Sequence, residues 1–223
     1  MNMRSSFFPR RLSAWALSVA MAAAVCTADA DVLYTQPPID GGNAQFAESI
    51  TPQQVADDFI LGGAVNLEGI TWWGSYYNND DLGDDFVVRL YSGITGTGTI
   101  LQDFGSVFVA KNTATPALTD SIGDIVYQYD FSLAAPLSLS GGTYYLSVQN
   151  VNNNSYWLWL TGTSGNGQFW SRGEDADPWA TQSIQEDLAF SLNGTRVQVV
   201  PEPAPLALLL LAGAALLVAR RRG

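Results

Sequence analysis

Apolar and polar residues alternate along most of the chain between Asp31 and Val200. The alternation is clearest over 86–91, 144–149 and 187–192, where every second side chain is apolar. A period of two is typical of antiparallel strands that bury one face. Further strands are predicted near 32–35, 55–60, 65–73, 100–109, 124–132, 156–161, 168–172 and 196–199.

Turn-forming pairs such as Gly62-Gly63, Gly141-Gly142 and Asn193-Gly194 separate these stretches. Glycine, asparagine or proline interrupts nearly every window long enough for three helical turns. About ten or eleven short strands at this spacing predict an all-β fold, a two-sheet antiparallel β-sandwich of jelly-roll type. A closed barrel is the weaker alternative. We expect residues 31–199 to form one domain.

The charge and composition of this domain narrow the function. Nineteen of the 21 acidic residues but only four of the ten basic residues lie between Asp31 and Val200, a formal charge of −15. Such a surface repels nucleic acid and anionic lipid head groups. The chain has no histidine and one cysteine, Cys26, so histidine- and cysteine-dependent catalysis and the usual zinc or haem sites lack their groups. The composition indicates a protein that is not an enzyme, although a glycoside hydrolase, which needs only two carboxylates, stays a distant alternative.

The first 30 residues have the three parts of a secretory signal peptide. A basic start precedes an apolar stretch over 14–25 and a small-residue cleavage site, Ala28-Asp29-Ala30. We expect a signal helix with cleavage before Asp31, and an uncleaved N-terminal anchor is the alternative. Cleavage there removes Cys26, so the mature chain has no cysteine.

The last 24 residues, 200–223, carry a second targeting signal. The motif Pro201-Glu202-Pro203 precedes the apolar run 204–219 and the cluster Arg220-Arg221-Arg222. As a helix the run spans roughly 24 Å, enough for a transmembrane segment in a thinned bilayer. The arginines place the C-terminus in the cytoplasm and the preceding domain outside.

Together the motif, the apolar run and the arginines resemble the PEP-CTERM sorting signal of Gram-negative bacteria. The resemblance implies an exosortase-type processing enzyme as a partner, usually in organisms that make extracellular polysaccharide. It also implies a path from the inner membrane to the cell surface or extracellular matrix. A plain membrane anchor that is never cleaved is the alternative.

The domain itself carries a second resemblance. The strings at 53–59, 70–74, 86–92, 142–150 and 187–190 are similar to a β-sandwich domain that recurs in exported bacterial proteins with such tails. That family has no assigned activity, so the resemblance implies a fold and a location, not a reaction.

Two acidic clusters predict structural calcium sites. The stretch 78–85 packs six oxygen-bearing side chains around Gly83, and Ca²⁺ takes 6 to 8 oxygen ligands. The predicted ligands are Asp80, Asp81, Asp84 and Asp85. A second candidate set, by analogy with calcium in carbohydrate-binding jelly rolls, is Asp57, Asp58 and Asp187. The alternative for such loops is that they are simply solvated.

A tryptophan pair predicts a sugar-binding surface. In the stretch 156–160, Trp157 and Trp159 lie on one face of a strand and the leucines on the other. If the leucines line the core, the indoles form a flat exposed strip; the alternative is that the indoles fill the core. Nearby side chains that could hydrogen-bond sugar hydroxyls are Asn152, Asn153, Asn154 and Gln149.

These features together predict an exported, non-catalytic binding module associated with extracellular polysaccharide. The main alternative is a structural surface-coat protein without a small-ligand site. The membrane would be contacted only through the C-terminal segment, and nucleic acid is not an expected partner.

Overall fold

The computed structural model describes residues 31–182 and 186–197, and their regular elements are β-strands apart from one 3-10 turn, Tyr77–Asn79. In these residues no helix is long and apolar enough to cross a membrane. The predicted signal peptide with Ala28 and Ala30, and the predicted sorting tail over 200–223, lie outside the described residues.

The strands are β1 (Asp31–Gln36), β2 (Ala44–Phe46), β3 (Gln54–Leu61), β4 (Val65–Tyr76), β5 (Phe86–Gly93), β6 (Thr99–Val107), β7 (Ala110–Thr113), β8 (Val126–Leu139), β9 (Gly142–Asn150), β10 (Trp157–Gly162), β11 (Phe169–Arg172), β12 (Ala180–Gln182), β13 (Asp187–Leu188) and β14 (Phe190–Arg196).

The strands form two antiparallel sheets that share one hydrophobic core. The larger sheet has eight strands, with β4 at its centre. β14 pairs with the first part of β4 and β10 with its last part, and β8 pairs along nearly the whole of β4. β1 lies beyond β14, β2 and β13 pair with β10, and β7 lies beyond β8. The smaller sheet has six strands in the order β12, β11, β3, β9, β5, β6. The prediction of an all-β chain with two antiparallel sheets is confirmed.

Phe86, the first residue of β5, joins the two sheets. Its ring centroid lies 5.3 Å from that of Trp72, 4.8 Å from that of Tyr129 and 4.9 Å from that of Trp157. These three rings belong to the eight-stranded sheet, and all four side chains are fully buried. Edge-to-face ring pairs stabilise beyond the area they bury, so this cluster is the centre of the core.

The alternation predicts strand positions well and strand ends less well. Phe86, Val88 and Leu90, which form one face of the predicted strand 86–91, are fully buried. The predicted strand 100–109 corresponds to β6, which ends two residues earlier, at Val107. The predicted strand 187–192 divides at Ala189, where pairing passes from β10 to β4. The pattern does not predict β2, β7 and β12, since strands of three or four residues are too short to show a period of two.

Both ends of the described chain lie at one end of the sandwich. Asp31 pairs with Gly194, and Arg196 pairs with Val65, the first residue of β4. From there β4 runs for 12 residues to Tyr76, roughly 35 Å at about 3.3 Å per residue. The loops that follow β4 and precede β10 therefore lie at the opposite end, which we call the distal end.

We expect Trp157→Ala to lower the free energy of unfolding by about 3–5 kcal/mol, because it empties space between the sheets beside Phe86. Tyr156→Ala is the matched control. Tyr156 is the next residue along the chain and is 42% exposed, so this variant should lower the free energy of unfolding by about 1 kcal/mol or less. Urea unfolding followed by circular dichroism measures both values. Equal losses for the two variants would contradict the inward placement of Trp157.

Candidate functional site

The tryptophan strip predicted on β10 faces the core. Trp157 and Trp159 are fully buried, and Trp159 Nε1 donates a hydrogen bond to Ala189 O at 2.8 Å. The opposite face, Leu158 and Leu160, is buried too, in part beneath the connection between β7 and β8. The prediction of an exposed indole strip is therefore wrong: both faces of the strand are covered, and the larger rings fill the space between the sheets.

An exposed aromatic cluster lies at the distal end, just before β10. Tyr77 and Tyr156 are 44% and 42% exposed, and the Tyr77 N–H donates to Tyr156 O at 3.0 Å. The Phe46 ring centroid lies 6.4 Å from that of Tyr77 and 6.3 Å from that of Tyr156. We call these three residues the aromatic platform. Side chains alternate along a strand, so Tyr156 faces outward because Trp157 faces inward. The sequence pattern assigns Tyr156 and Trp157 to opposite faces of the strand, but it does not show which face is buried.

The loop that leads into the platform carries the predicted asparagines. Asn153 and Asn154 are exposed, and Asn153 Oδ1 accepts a hydrogen bond from Ser49 Oγ at 2.6 Å. Asn152 Oδ1 accepts from the Asn154 N–H at 2.9 Å, a turn that shapes the loop. The Gln149 amide donates to two backbone carbonyls, those of Glu48 and Gln53, so it stabilises the neighbouring loop rather than facing a ligand. Of the four predicted polar side chains, Asn153 and Asn154 are the ones left in solvent.

A lysine closes the loop that the sequence predicts as a calcium site. Lys111 Nζ lies 2.7 Å from Asp81 Oδ2 and 2.9 Å from Asp84 Oδ2. Asp85 accepts a hydrogen bond from a serine hydroxyl of β6, and Asp80 is exposed. The part of the chain that the structure describes holds no group of three or more His, Cys, Asp or Glu side chains arranged for a metal ion. The described residues do not form the predicted calcium site, because the Lys111 ammonium group pairs with two of its four carboxylates.

Lys111 lies in a cage of carboxylates and phenol rings. Its Nζ is 5.3 Å from the ring centroid of Tyr76 and 5.1 Å from that of Tyr127, distances at which a cation is attracted to an aromatic face. Burial lowers the pKa of Lys111, but hydrogen bonds to Asp81 and Asp84 raise it more, so the pKa lies above its ordinary value. Lys111 therefore stays charged at neutral pH and fixes the loop beside the platform.

The second predicted calcium set comes together, but protein donors bind its carboxylates. Asp57 is fully buried; its Oδ2 accepts from the Leu188 N–H at 2.5 Å and its Oδ1 from the Asp58 N–H at 2.8 Å. Asp187 Oδ1 accepts from two backbone N–H groups, and Asp58 Oδ1 accepts from Asn166 Nδ2 at 2.8 Å. These donors occupy the oxygens that calcium would need, so the described residues form no metal site here either.

The fold and the site define a class of protein: a two-sheet all-β domain with an exposed aromatic platform at its distal end. The chain belongs to the family described as a domain of unknown function (DUF7901), whose family model matches residues 32–193. No curated protein matches the sequence at a significant level.

We expect Lys111→Met to lower the free energy of unfolding by about 1–3 kcal/mol, because it keeps the apolar stem but leaves two half-buried carboxylates without their cation. Lys111→Arg, which keeps the charge, is the control. Thermal scans should show that millimolar Ca²⁺ restores part of the loss in Lys111→Met and leaves the wild-type midpoint unchanged. A calcium-dependent rise in the wild type would contradict the closed loop.

We expect Asp57→Asn to make stability less dependent on pH above about 4. Burial raises the pKa of Asp57 well above its usual range. The hydrogen bond from the Leu188 N–H lowers this pKa in part, and the negative charges of Asp187 and Asp58 raise it. A carboxyl with a raised folded-state pKa contributes most at low pH, and this contribution is lost as pH rises from the unfolded to the folded pKa. Urea unfolding at a series of pH values measures the slope; identical slopes for wild type and variant would refute the assignment.

Proposed function

We propose that this chain is an exported, non-catalytic binding module for extracellular polysaccharide, and that the aromatic platform is its contact surface. The observation that carries the proposal is the pair of tyrosine rings, Tyr77 and Tyr156, each more than 40% exposed. The two residues are joined by a backbone hydrogen bond and both rings pack near Phe46, so they offer exposed aromatic surface to another molecule.

The chemistry of the platform suits sugar rings. The C–H face of a pyranose is flat and apolar, so it packs on an aromatic ring. Each tyrosine also has a hydroxyl group that can donate or accept a hydrogen bond, and the amides of Asn153 and Asn154 supply two donors each. The Asn154 oxygen is also an acceptor, whereas Asn153 Oδ1 already accepts from Ser49 Oγ. A sugar ring could therefore pack its apolar face on the tyrosine rings and hydrogen-bond its hydroxyl groups to the asparagine amides.

The charge of the domain selects among polysaccharides. With a formal charge of −15 between Asp31 and Val200, the domain repels chains of uronic acids, sulfates or phosphates. We therefore propose a neutral polysaccharide as the ligand.

The proposed location agrees with the position of the platform. We propose a jelly-roll-like sandwich between a signal helix and a transmembrane tail, sorted by an exosortase-type enzyme through the motif Pro201-Glu202-Pro203. The described chain ends at the end of the sandwich away from the platform, as the pairing of Arg196 with Val65 supports. A domain tethered by its tail would then present Tyr77 and Tyr156 away from the membrane.

A structural surface-coat protein is the second candidate function. The observation that favours it is Phe108, which is 98% exposed. A side chain of this kind on an exported domain indicates contact with another protein surface.

The test uses protein recovered from the surface of cells that express the full chain. Its intact mass is measured first, and a mass that ends near Pro201 supports sorting by tail removal. Binding is then measured by calorimetry against neutral and acidic polysaccharides. We expect the double variant Tyr77→Ala, Tyr156→Ala to bind a neutral polysaccharide at least about tenfold more weakly, a loss of about 1.4 kcal/mol.

Two controls separate the platform from the rest of the surface. Ile60→Ala removes an exposed apolar side chain elsewhere, on β3, and should leave binding unchanged. Tyr156→Phe keeps the ring and removes the hydroxyl, so it distinguishes ring packing from hydrogen bonding. Wild-type affinity in the double alanine variant would refute the site. Absence of binding to every polysaccharide would favour the coat protein, and release of sugar would favour a hydrolase.

A further inference from the structure

The chain contains two asparagines that are followed directly by glycine, Asn166-Gly167 and Asn193-Gly194. Such a pair is chemically labile, because the backbone nitrogen after asparagine can attack the side-chain amide carbon and glycine places no side chain in the way. The ring that closes has five members, so no distant part of the chain needs to move. The structure places the two pairs in very different surroundings.

Asn193-Gly194 lies inside the larger sheet. Asn193 is paired with Val32 of β1 on one side and with Gly69 of β4 on the other. Strand pairing on both sides holds this part of the backbone extended. The Gly194 nitrogen therefore cannot turn towards the side-chain amide without breaking the pairing, and we expect the fold to protect this asparagine.

Asn166-Gly167 lies in the turn between β10 and β11, where Asn166 is exposed and Gly167 has φ +77°. A carboxylate is fixed against the backbone of this turn. The Gly167 N–H donates to both oxygens of Asp187, at 3.0 and 3.1 Å, and the Asn166 N–H donates to Asp187 Oδ1 at 3.0 Å. A Cβ on Gly165 would collide with the Asp187 carboxyl group, so glycine is needed for the turn to approach the carboxylate this closely.

Two further contacts hold the side chain of Asn166. Its Oδ1 accepts a hydrogen bond from the Gln168 N–H at 2.9 Å, and its Nδ2 donates to Asp58 Oδ1 at 2.8 Å. An N–H that donates to a carbonyl oxygen also stabilises negative charge that develops on that oxygen. A carboxylate within hydrogen-bond distance of an N–H is placed to accept its proton. The turn thus presents a base to the nitrogen and a donor to the oxygen that one reaction requires.

We propose that Asn166 is a site of spontaneous deamidation that the fold itself promotes, with Asp187 as the catalytic base. As Asp187 takes the proton of the Gly167 N–H, the Gly167 nitrogen bonds to Asn166 Cγ. The bond between Cγ and Nδ2 then breaks, and Nδ2 leaves as ammonia with the proton that Asp187 took, so that a five-membered imide remains. Water opens the imide at either carbonyl, to aspartate or to isoaspartate. The proposal is independent of the aromatic platform.

The product changes a region where the two sheets meet. Asp58 follows Asp57, whose Oδ2 accepts from the Leu188 N–H at 2.5 Å and so connects β3 of the smaller sheet to β13 of the larger sheet. Deamidation replaces the amide that donates to Asp58 by a carboxylate, which has no proton to donate when ionised and which repels Asp58 and Asp187. We therefore expect the modified chain to melt at a lower temperature than the fresh chain.

The first test follows both asparagines in protein from cells that express the full chain, incubated at neutral pH. Trypsin cleaves after Arg172, so Asn166 and Asn193 fall in different peptides, and fragment spectra report the deamidation of each. In the folded protein we expect Asn166 to convert at least about tenfold faster than Asn193. In urea the two should convert at similar rates, and Asn166 should convert more slowly than in the folded protein, because unfolding removes the base. Equal or faster conversion of Asn166 in urea overturns the proposal.

The second test removes the base. Asp187→Asn keeps the shape of the side chain but cannot take a proton, and we expect it to slow the conversion of Asn166 at least about tenfold. Asp58→Asn is the matched control, because it removes a carboxylate from the same cluster and leaves the base in place. The proposal fails if Asp187→Asn converts as fast as the wild type, or if both variants are slowed equally. The comparison with urea needs no variant, so it decides the proposal even if Asp187→Asn does not fold.

The third test measures the effect on stability. Asn166→Asp carries the charge of the product, and Gln168→Glu is the control, because it adds the same charge to an exposed side chain of the same turn. We expect the melting midpoint of Asn166→Asp to fall by about 2–4 °C, and that of Gln168→Glu to stay close to the wild type. Wild-type protein that is aged until Asn166 has converted should fall at least as far. An aged protein that melts like fresh protein would contradict the proposed effect on the contact between the sheets.

Discussion

The rest of the structure depends on the contact between Phe86 and the rings of the opposite sheet. The one cysteine lies outside the domain, so no disulfide joins the sheets, and ring packing and burial must hold them together. This contact requires Trp157 to point inward. A strand that points Trp157 inward points Tyr156 outward, so the packing of the core also creates the aromatic platform.

Three of the four basic side chains of the domain form ion pairs within the fold. Lys111 closes the distal loop, and Arg172, whose side chain is 2% exposed, pairs with Asp175 at 2.8 Å and lies 4.3 Å from the ring centroid of Trp179. Arg89 binds the same aspartate at 2.7 Å. Because these cations are engaged locally, most carboxylates at the surface have no counter-charge within the protein. The outer surface is therefore strongly acidic.

The sequence by itself determined the all-β class and the division of strands such as β5 into two faces, because alternation is a local property of neighbouring residues. It did not determine which face of 156–160 lies inside, since both faces are apolar and only packing against Phe86 decides between them. It showed a run of carboxylates that includes Asp81 and Asp84, but not the cation that meets them. Lys111 lies 30 residues from Asp81 and reaches it only through the fold. Contacts between segments far apart in the chain leave no local period in the sequence, so the tertiary structure alone decided the platform and the closed loop.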